Sequence, residues 1–134
     1  MRKIQMVDTK NQYLAIKKEV DESIQGVLDS ASYINGKVVQ DFSQSLASYL
    51  QVAHVIPCAN GTDALQIAMM ALGLQPGDEV ITPSFTYIAT TEVVALLGLT
   101  PVFVDVDPVT YCMDIASLKN AITPKTKSIV PVHL

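Results

Sequence analysis

The chain has 134 residues, 49% of them apolar and 16% charged, which suits one compact domain with a real core and argues against global disorder. Its net charge of −4, with the lysines scattered, disfavours a nucleic-acid or anionic-membrane surface. No run approaches the length of a membrane span, and the opening "MRKIQMVDTKNQ" lacks the apolar core of a secretory signal.

In chain order, residues 10–29 place Tyr13, Ile16, Val20, Ile24 and Val27 or Leu28 at helical spacing and predict one amphipathic helix, with Lys17 and Lys18 on its solvated face. Gly36 breaks the chain, and a second amphipathic helix is expected from about Val38 to Leu50, with Phe42, Leu46 and Leu50 on one face. "HVIP" (54–57) reads as a short strand. Residues 62–72 read as a largely apolar, buried helix that stops at Gly73. Pro76-Gly77-Asp78 is turn chemistry before the short strand "EVIT". "YIATTEVVALL" is a third interior helix ended by Gly98, and "TPVFVDVDP" a strand ended by acids and Pro108. A short helix around Asp114–Ala121 leads to a last strand, "KSIVPVHL".

Strands alternating with helices at this spacing imply an α/β domain with parallel strands and crossover helices. The strands are apolar without alternation, as expected where both faces are covered. Ligands are then expected at the carboxyl ends of the strands.

Three turns fall there. In "CANGTDAL" (58–65) an apolar run meets a helix through Asn60-Gly61-Thr62-Asp63. Free amides and the positive end of the helix dipole make such a junction a natural phosphate site. Gly61 allows close approach, Thr62 adds a hydroxyl, and Asp63 can cap or contribute its amide. An ordinary N-cap uses the same residue types and is commoner. Neither GxGxxG nor GxxxxGK[ST] is present. In the second turn, "TPSFTYIAT", Tyr87 sits near a helix start, where its ring could stack on a planar ligand. Taken alone, Phe85 and Tyr87 read as packing residues. The third turn holds Asp105 and Asp107, read as turn formers before Pro108 rather than as metal ligands. His54 and His133 read as buried histidines in apolar strands, and Cys58 and Cys112 as two buried free thiols.

Together the turns are more specific than any one of them. "NGTDALQIAMMALGLQPGDEVITPSFTYIATTEVVALLGLTPVFVDVDPVTYCMD", continued by "AITPKTKSIVPVHL", resembles the DegT/StrS-type sugar-nucleotide aminotransferases, which are fold type I enzymes using pyridoxal 5'-phosphate. "MVDTKNQY" and "SYINGKVVQDFSQSLASYL" are similar to that family's N-terminal portion. The resemblance implies the start of a fold type I large domain (51–134) behind a helical N-terminal segment (1–50). It also implies that Gly61, Thr62 and Asp63 hold the cofactor phosphate and that Tyr87 stacks on the pyridine ring. Tyr33–Asn35 would lie near the active-site entrance. The implied reaction moves an amino group, usually from glutamate, to a keto group on a nucleotide-linked sugar, in amino-sugar or cell-surface polysaccharide synthesis. A cytoplasmic homodimer is implied as well.

In that family the Schiff-base lysine, the aspartate on the pyridine nitrogen and an accompanying glutamine fall after the position of Leu134. None of the lysines here matches the catalytic one, and Lys125 and Lys127 are expected in the loop before the last strand, on the wrong side of the sheet. The expectation is therefore the N-terminal part of such an enzyme, inactive by itself and poorly soluble, self-associating or partly molten. Family relatives that dehydrate the sugar carry a histidine at the lysine's position and remain an alternative. So do a non-enzymatic module that binds a partner or a phosphorylated ligand, and an unrelated phosphate-binding α/β domain.

Overall fold

The structure, a computed structural model, describes Ile4 and residues 6–134. It divides into two units, one ending at Pro57 and one spanning Cys58–Leu134.

The first unit is helical. Residues 10–29 do not form one helix: α1 (Thr9–Ala15) and α2 (Lys17–Ser30) meet at Ile16, whose backbone leaves the helical region at φ −120°, ψ 16°. The Ile16 amide closes back on the Tyr13 carbonyl (3.1 Å), a tighter turn that ends α1, while the Ile16 carbonyl accepts from Val20 and starts α2. Asp21 straddles the break, accepting from the Tyr13 hydroxyl (2.7 Å) and pairing with Lys17. The helix α3 (Lys37–Leu50) follows an extended Gly36. A Cβ on Gly36 would stand 2.5 Å from the Ser32 carbonyl oxygen, so only glycine fits there without a backbone shift. No described residue of this unit is fully buried.

The segment "HVIP" is not a strand. None of its amides or carbonyls enters a backbone ladder among the described residues, and Ile56 is 75% exposed. An apolar run without a neighbouring strand has no pairing to make it one. His54, placed in this strand from sequence, is exposed.

The second unit holds a three-stranded parallel sheet in the order β2-β1-β3, with β1 Glu79–Pro83, β2 Thr100–Val104 and β3 Thr126–Ile129. The helices are α4 (Gly61–Ala71), α5 (Ala89–Leu96) and α6 (Ile115–Ala121). Gly73 and Gly98, at φ +68° and +71°, end α4 and α5 in the left-handed region that glycine enters freely. The register pairs Glu79 with Thr100 and Pro83 with Val104, and β1 pairs with β3 on its other edge. The chain steps from β1 out to β2, then returns past β1 to β3. With right-handed crossovers this reversal puts α5 and α6 on opposite faces and makes the carboxyl end of β1 the topological switch point.

Only the central strand is covered on both faces: Val80, Ile81, Thr82 and Pro83 are buried, whereas β2 and β3 are open at several positions because they form the sheet's edges. The core consists of Met69, Val80, Val93, Val94 and Leu99, with Leu65, Leu74, Leu97 and Val130 packed on it. Met69 is the one fully buried residue of α4, which is therefore a surface helix with a single inner face despite its apolar composition. β3 ends at Ile129, although the Val130 amide still donates to Ile81 (2.8 Å). His133 lies beyond it and is exposed, as is Cys58, while Cys112 is half-buried; both thiols are free.

Candidate functional site

At the head of α4, Asn60 is extended (φ −164°, ψ 176°) and acts as N-cap. Its Oδ1 accepts from the Asp63 amide (2.9 Å), its carbonyl accepts from Ala64 (3.1 Å), and its Nδ2 donates to Asp63 Oδ2 (3.1 Å). The Asp63 amide and carboxylate are thus both engaged with the cap. The amides of Gly61 and Thr62 and the Thr62 hydroxyl have no hydrogen-bond partner among the described residues. Apart from its chain neighbours and the backbone of α4, no atom lies within 4 Å of the position a Cβ on Gly61 would take. Two free amides and a hydroxyl at the positive end of the helix dipole are the donor set an anion needs.

The second turn, Ser84–Ile88, leaves β1 at the switch point. It is tied to the neighbouring strand by the Ser84 amide on the Val104 carbonyl (2.9 Å). Ile88 starts α5, its carbonyl accepting from Thr91 and Glu92 (3.0 and 2.9 Å). Tyr87, just before it, is 78% exposed and Phe85 is exposed too, so neither is a core packing residue. The Phe85 ring meets Tyr111 instead, with centroids 5.7 Å apart and planes at 40°. Between the ends of β1 and β3 lies a cavity of about 370 Å³ lined by Ser84, Phe85, Thr86, Val132 and Leu134.

The third turn is a closed loop. Asp114 donates its amide to Asp105 (2.9 Å), Val106 bridges to Met113, and the Asp107 amide donates to Cys112 (2.9 Å). Asp107 Oδ1 accepts from the Val109 and Thr110 amides (2.9 and 2.8 Å) and from the Thr110 hydroxyl (3.1 Å). These bonds, the Thr110 amide first and then that of Val109, hold the Asp107 carboxyl below its ordinary value. Asp105 Oδ1 accepts from Val106 (2.8 Å). Both acids are therefore turn formers, and no group of three metal-ligating side chains occurs among the described residues.

The structure thus gathers Gly61, Thr62 and Asp63 at one helix N-terminus and places Tyr87 at the start of α5, which packs against α4 in the same unit. Lys125 and Lys127 lie apart from them, at the amino end of the sheet, where the Lys125 carbonyl accepts from Glu79 (2.9 Å). Lys127 is within β3 rather than in the loop before it. Two features escaped the sequence reading. The Tyr111–Phe85 contact links residues far apart in sequence, and its one local signal is the Asp107-x-x-Thr110 turn. Thr82 is fully buried with no partner for its hydroxyl, which β-propensity alone does not reveal.

Residues 14–134 match the DegT/DnrJ/EryC1/StrS aminotransferase family. The chain belongs to that family. Among curated relatives, a UDP-2-acetamido-2-deoxy-3-oxo-D-glucuronate aminotransferase of Pseudomonas aeruginosa is 55% identical over 98% of this chain and 36% of its own length. Among solved structures, Streptomyces venezuelae DesV in complex with a ketimine intermediate superposes with a TM-score of 0.94 at 39% identity, over all of this chain and 36% of DesV. NtdA of Bacillus subtilis with bound cofactor PMP superposes with a TM-score of 0.86 at 36% identity, over 99% of this chain and 32% of NtdA. The chain therefore spans about a third of the length of the DegT/StrS relatives it matches.

Proposed function

We propose that the chain supplies the cofactor-cradling N-terminal third of a pyridoxal 5'-phosphate-dependent aminotransferase that acts on a nucleotide-linked keto sugar. The observation that carries this reading is the Asn60-capped N-terminus of α4, where the Gly61 and Thr62 amides and the Thr62 hydroxyl have no partner among the described residues. The donor set fits a phosphate monoester, and the exposed Tyr87 ring fits a planar heterocycle. The sugar-nucleotide substrate class is supported by the relative at 55% identity.

When bound, pyridoxal 5'-phosphate supplies the electron sink that lets an amino group pass from an amino acid, here glutamate, to the keto carbon. The chain's own residues bind and orient it. The Gly61 and Thr62 amides would hold the phosphate, with the Thr62 hydroxyl as a further donor. Asp63 would support the site through the cap, its carboxylate accepting from Asn60 Nδ2 and its amide donating to Asn60 Oδ1. The exposed Tyr87 ring would stack on the cofactor's planar ring and shield it from water. In the family the lysine that carries the cofactor falls after the position matched by Leu134, and none of these residues takes its place. The reading further places the enzyme in the cytoplasm as a homodimer. The net charge of −4 is unlike that of a nucleic-acid-binding surface.

Pyridoxamine 5'-phosphate needs no lysine to bind, so it is the probe for the cradle. Calorimetric titration of the chain should show binding that weakens about tenfold in both Thr62→Val and Tyr87→Ala. No binding by the parent chain, or binding by both variants as tight as the parent's, would overturn the assignment. If inorganic phosphate binds as tightly and Tyr87→Ala changes neither, the chain is a phosphate-binding module instead. Reading the coding frame onward from Leu134 separates the chemistries: an Asp-x-x-Gln stretch and a later lysine mean amino transfer, and a histidine in the lysine's place means dehydration.

A further inference from the structure

Tyr111 holds a backbone conformation that side chains other than glycine rarely adopt, with φ at +57°. Such a residue persists only where its surroundings over-determine it. Here they do: the Tyr111 amide donates to the Asp107 carbonyl (2.8 Å), and the Asp107 carboxylate gathers three donors from Val109 and Thr110. Pairings at Asp105–Asp114, Val106–Met113 and Asp107–Cys112 close the loop behind it. The Ser117 hydroxyl, which accepts from the Asp105 amide (3.1 Å), anchors the loop to α6. What the strained residue delivers is a ring against Phe85. Phe85 is in the turn that carries Tyr87, and that turn has few other ties: its first amide bonds Val104, and its last carbonyls start α5.

We infer that Tyr111 is a positioning residue: through Phe85 it clamps the Ser84–Ile88 turn and so fixes the ring of Tyr87 over the cofactor. The inference rests on the cofactor reading above. A tyrosine half out in solvent has little reason to bear left-handed strain for core packing alone. A clamp on a turn that must present an exposed aromatic at a fixed place is such a reason.

The test compares Tyr111→Phe, Tyr111→Leu and Tyr111→Gly with the parent chain. Amide hydrogen exchange of the peptide spanning 84–90 should quicken in the Leu and Gly variants and stay at the parent rate in Tyr111→Phe, which keeps the ring. Pyridoxamine 5'-phosphate should bind about three- to tenfold more weakly in those same two variants, the ratio worth of one aromatic pair. Tyr111→Gly also relieves the backbone strain, so its melting temperature should hold up better than that of Tyr111→Leu while its affinity falls equally. A purely structural role would make affinity follow stability across the three. Unchanged exchange at 84–90 in the Leu variant overturns the clamp. Faster exchange with unchanged affinity overturns its service to the site. If the parent chain does not bind the probe at all, the cofactor reading fails, and exchange still decides whether the clamp exists.

Discussion

Asp107 collects the Thr110 and Val109 amides and the Thr110 hydroxyl on one oxygen, and these bonds favour its ionised form. Its carboxyl is lowered from the ordinary 3.8 in the folded chain. The folded state therefore holds its proton less tightly than the unfolded state. The stability this gives is fully present above 3.8 and is lost as the pH falls through the lowered folded value. Asp21, lowered by its hydrogen bonds from Lys17 and then Tyr13, acts in the same direction. Melting followed by circular dichroism should show acid destabilisation of the parent chain and a shallower dependence in Asp107→Asn, with the remainder belonging to groups such as Asp21. Equal acid slopes in the two chains would show that the turn does not sense this proton. Asn60 works on α4 by another route, satisfying the Asp63 amide that the helix cannot. Asn60→Ala should cost about 1 kcal/mol in denaturant unfolding, the usual worth of an N-cap. A change near zero would mean that water caps the helix as well as Asn60 does.

Among the elements, β1 carries the core and also its one misfit. Thr82 is 0% exposed, and its hydroxyl finds no partner. Removing an unsatisfied buried hydroxyl while keeping the side chain's shape should stabilise the fold, so Thr82→Val is expected to gain about 1 kcal/mol. A lower melting temperature in that variant would reveal a partner for the hydroxyl. The parallel α/β order was legible because composition alternates sharply between short apolar runs and longer helical ones, with Gly73 and Gly98 marking two helix ends. Elements were misread where the deciding contact is not local. The break at Ile16 is set by backbone closure onto Tyr13, in a stretch whose apolar spacing continues unbroken. The caps of α2 and α3 at Ala31 and Gln51 adopt φ +51° and +54° without glycine, yet the apolar spacing placed the two ends at residue 29 and Leu50, within one residue of the observed Ser30 and Leu50. "HVIP" has a strand's composition and lacks a strand's neighbour. The site was legible to a similar depth. A polar turn opening an apolar helix points to an anion or a cap, and the structure shows Asn60 and Asp63 serving the cap while Gly61 and Thr62 stay free. Phe85 and Tyr87 could not be told from core residues until the fold left them exposed.

For the molecule as a whole, apolar surface governs behaviour in solution. Phe103 on the edge strand β2 is 55% exposed, and Ile129 on the opposite edge strand and Met70 on α4 are exposed with it. In the first unit Phe42 and Tyr49 stand out on α3, and no described residue there is buried. Among the described residues β2 pairs with β1 alone, so its other edge offers unpaired amides and carbonyls beside an exposed phenylalanine. An edge of this kind is a template for pairing with another chain. Burying several such side chains at roughly 25 cal/mol per Å² outweighs the ordering cost of association once enough of them meet. The chain on its own should therefore self-associate, its light-scattering mass rising with concentration on a sizing column. Phe103→Thr removes the largest side chain at the β2 edge, keeps strand propensity and leaves the buried core untouched. It should shift the chain toward monomer with little change in melting temperature. A sharp cooperative melt from a clean monomer of the parent chain would show that this surface is too dispersed to bind another copy. Persistent association of the Phe103→Thr variant would instead point to the α3 face of the first unit.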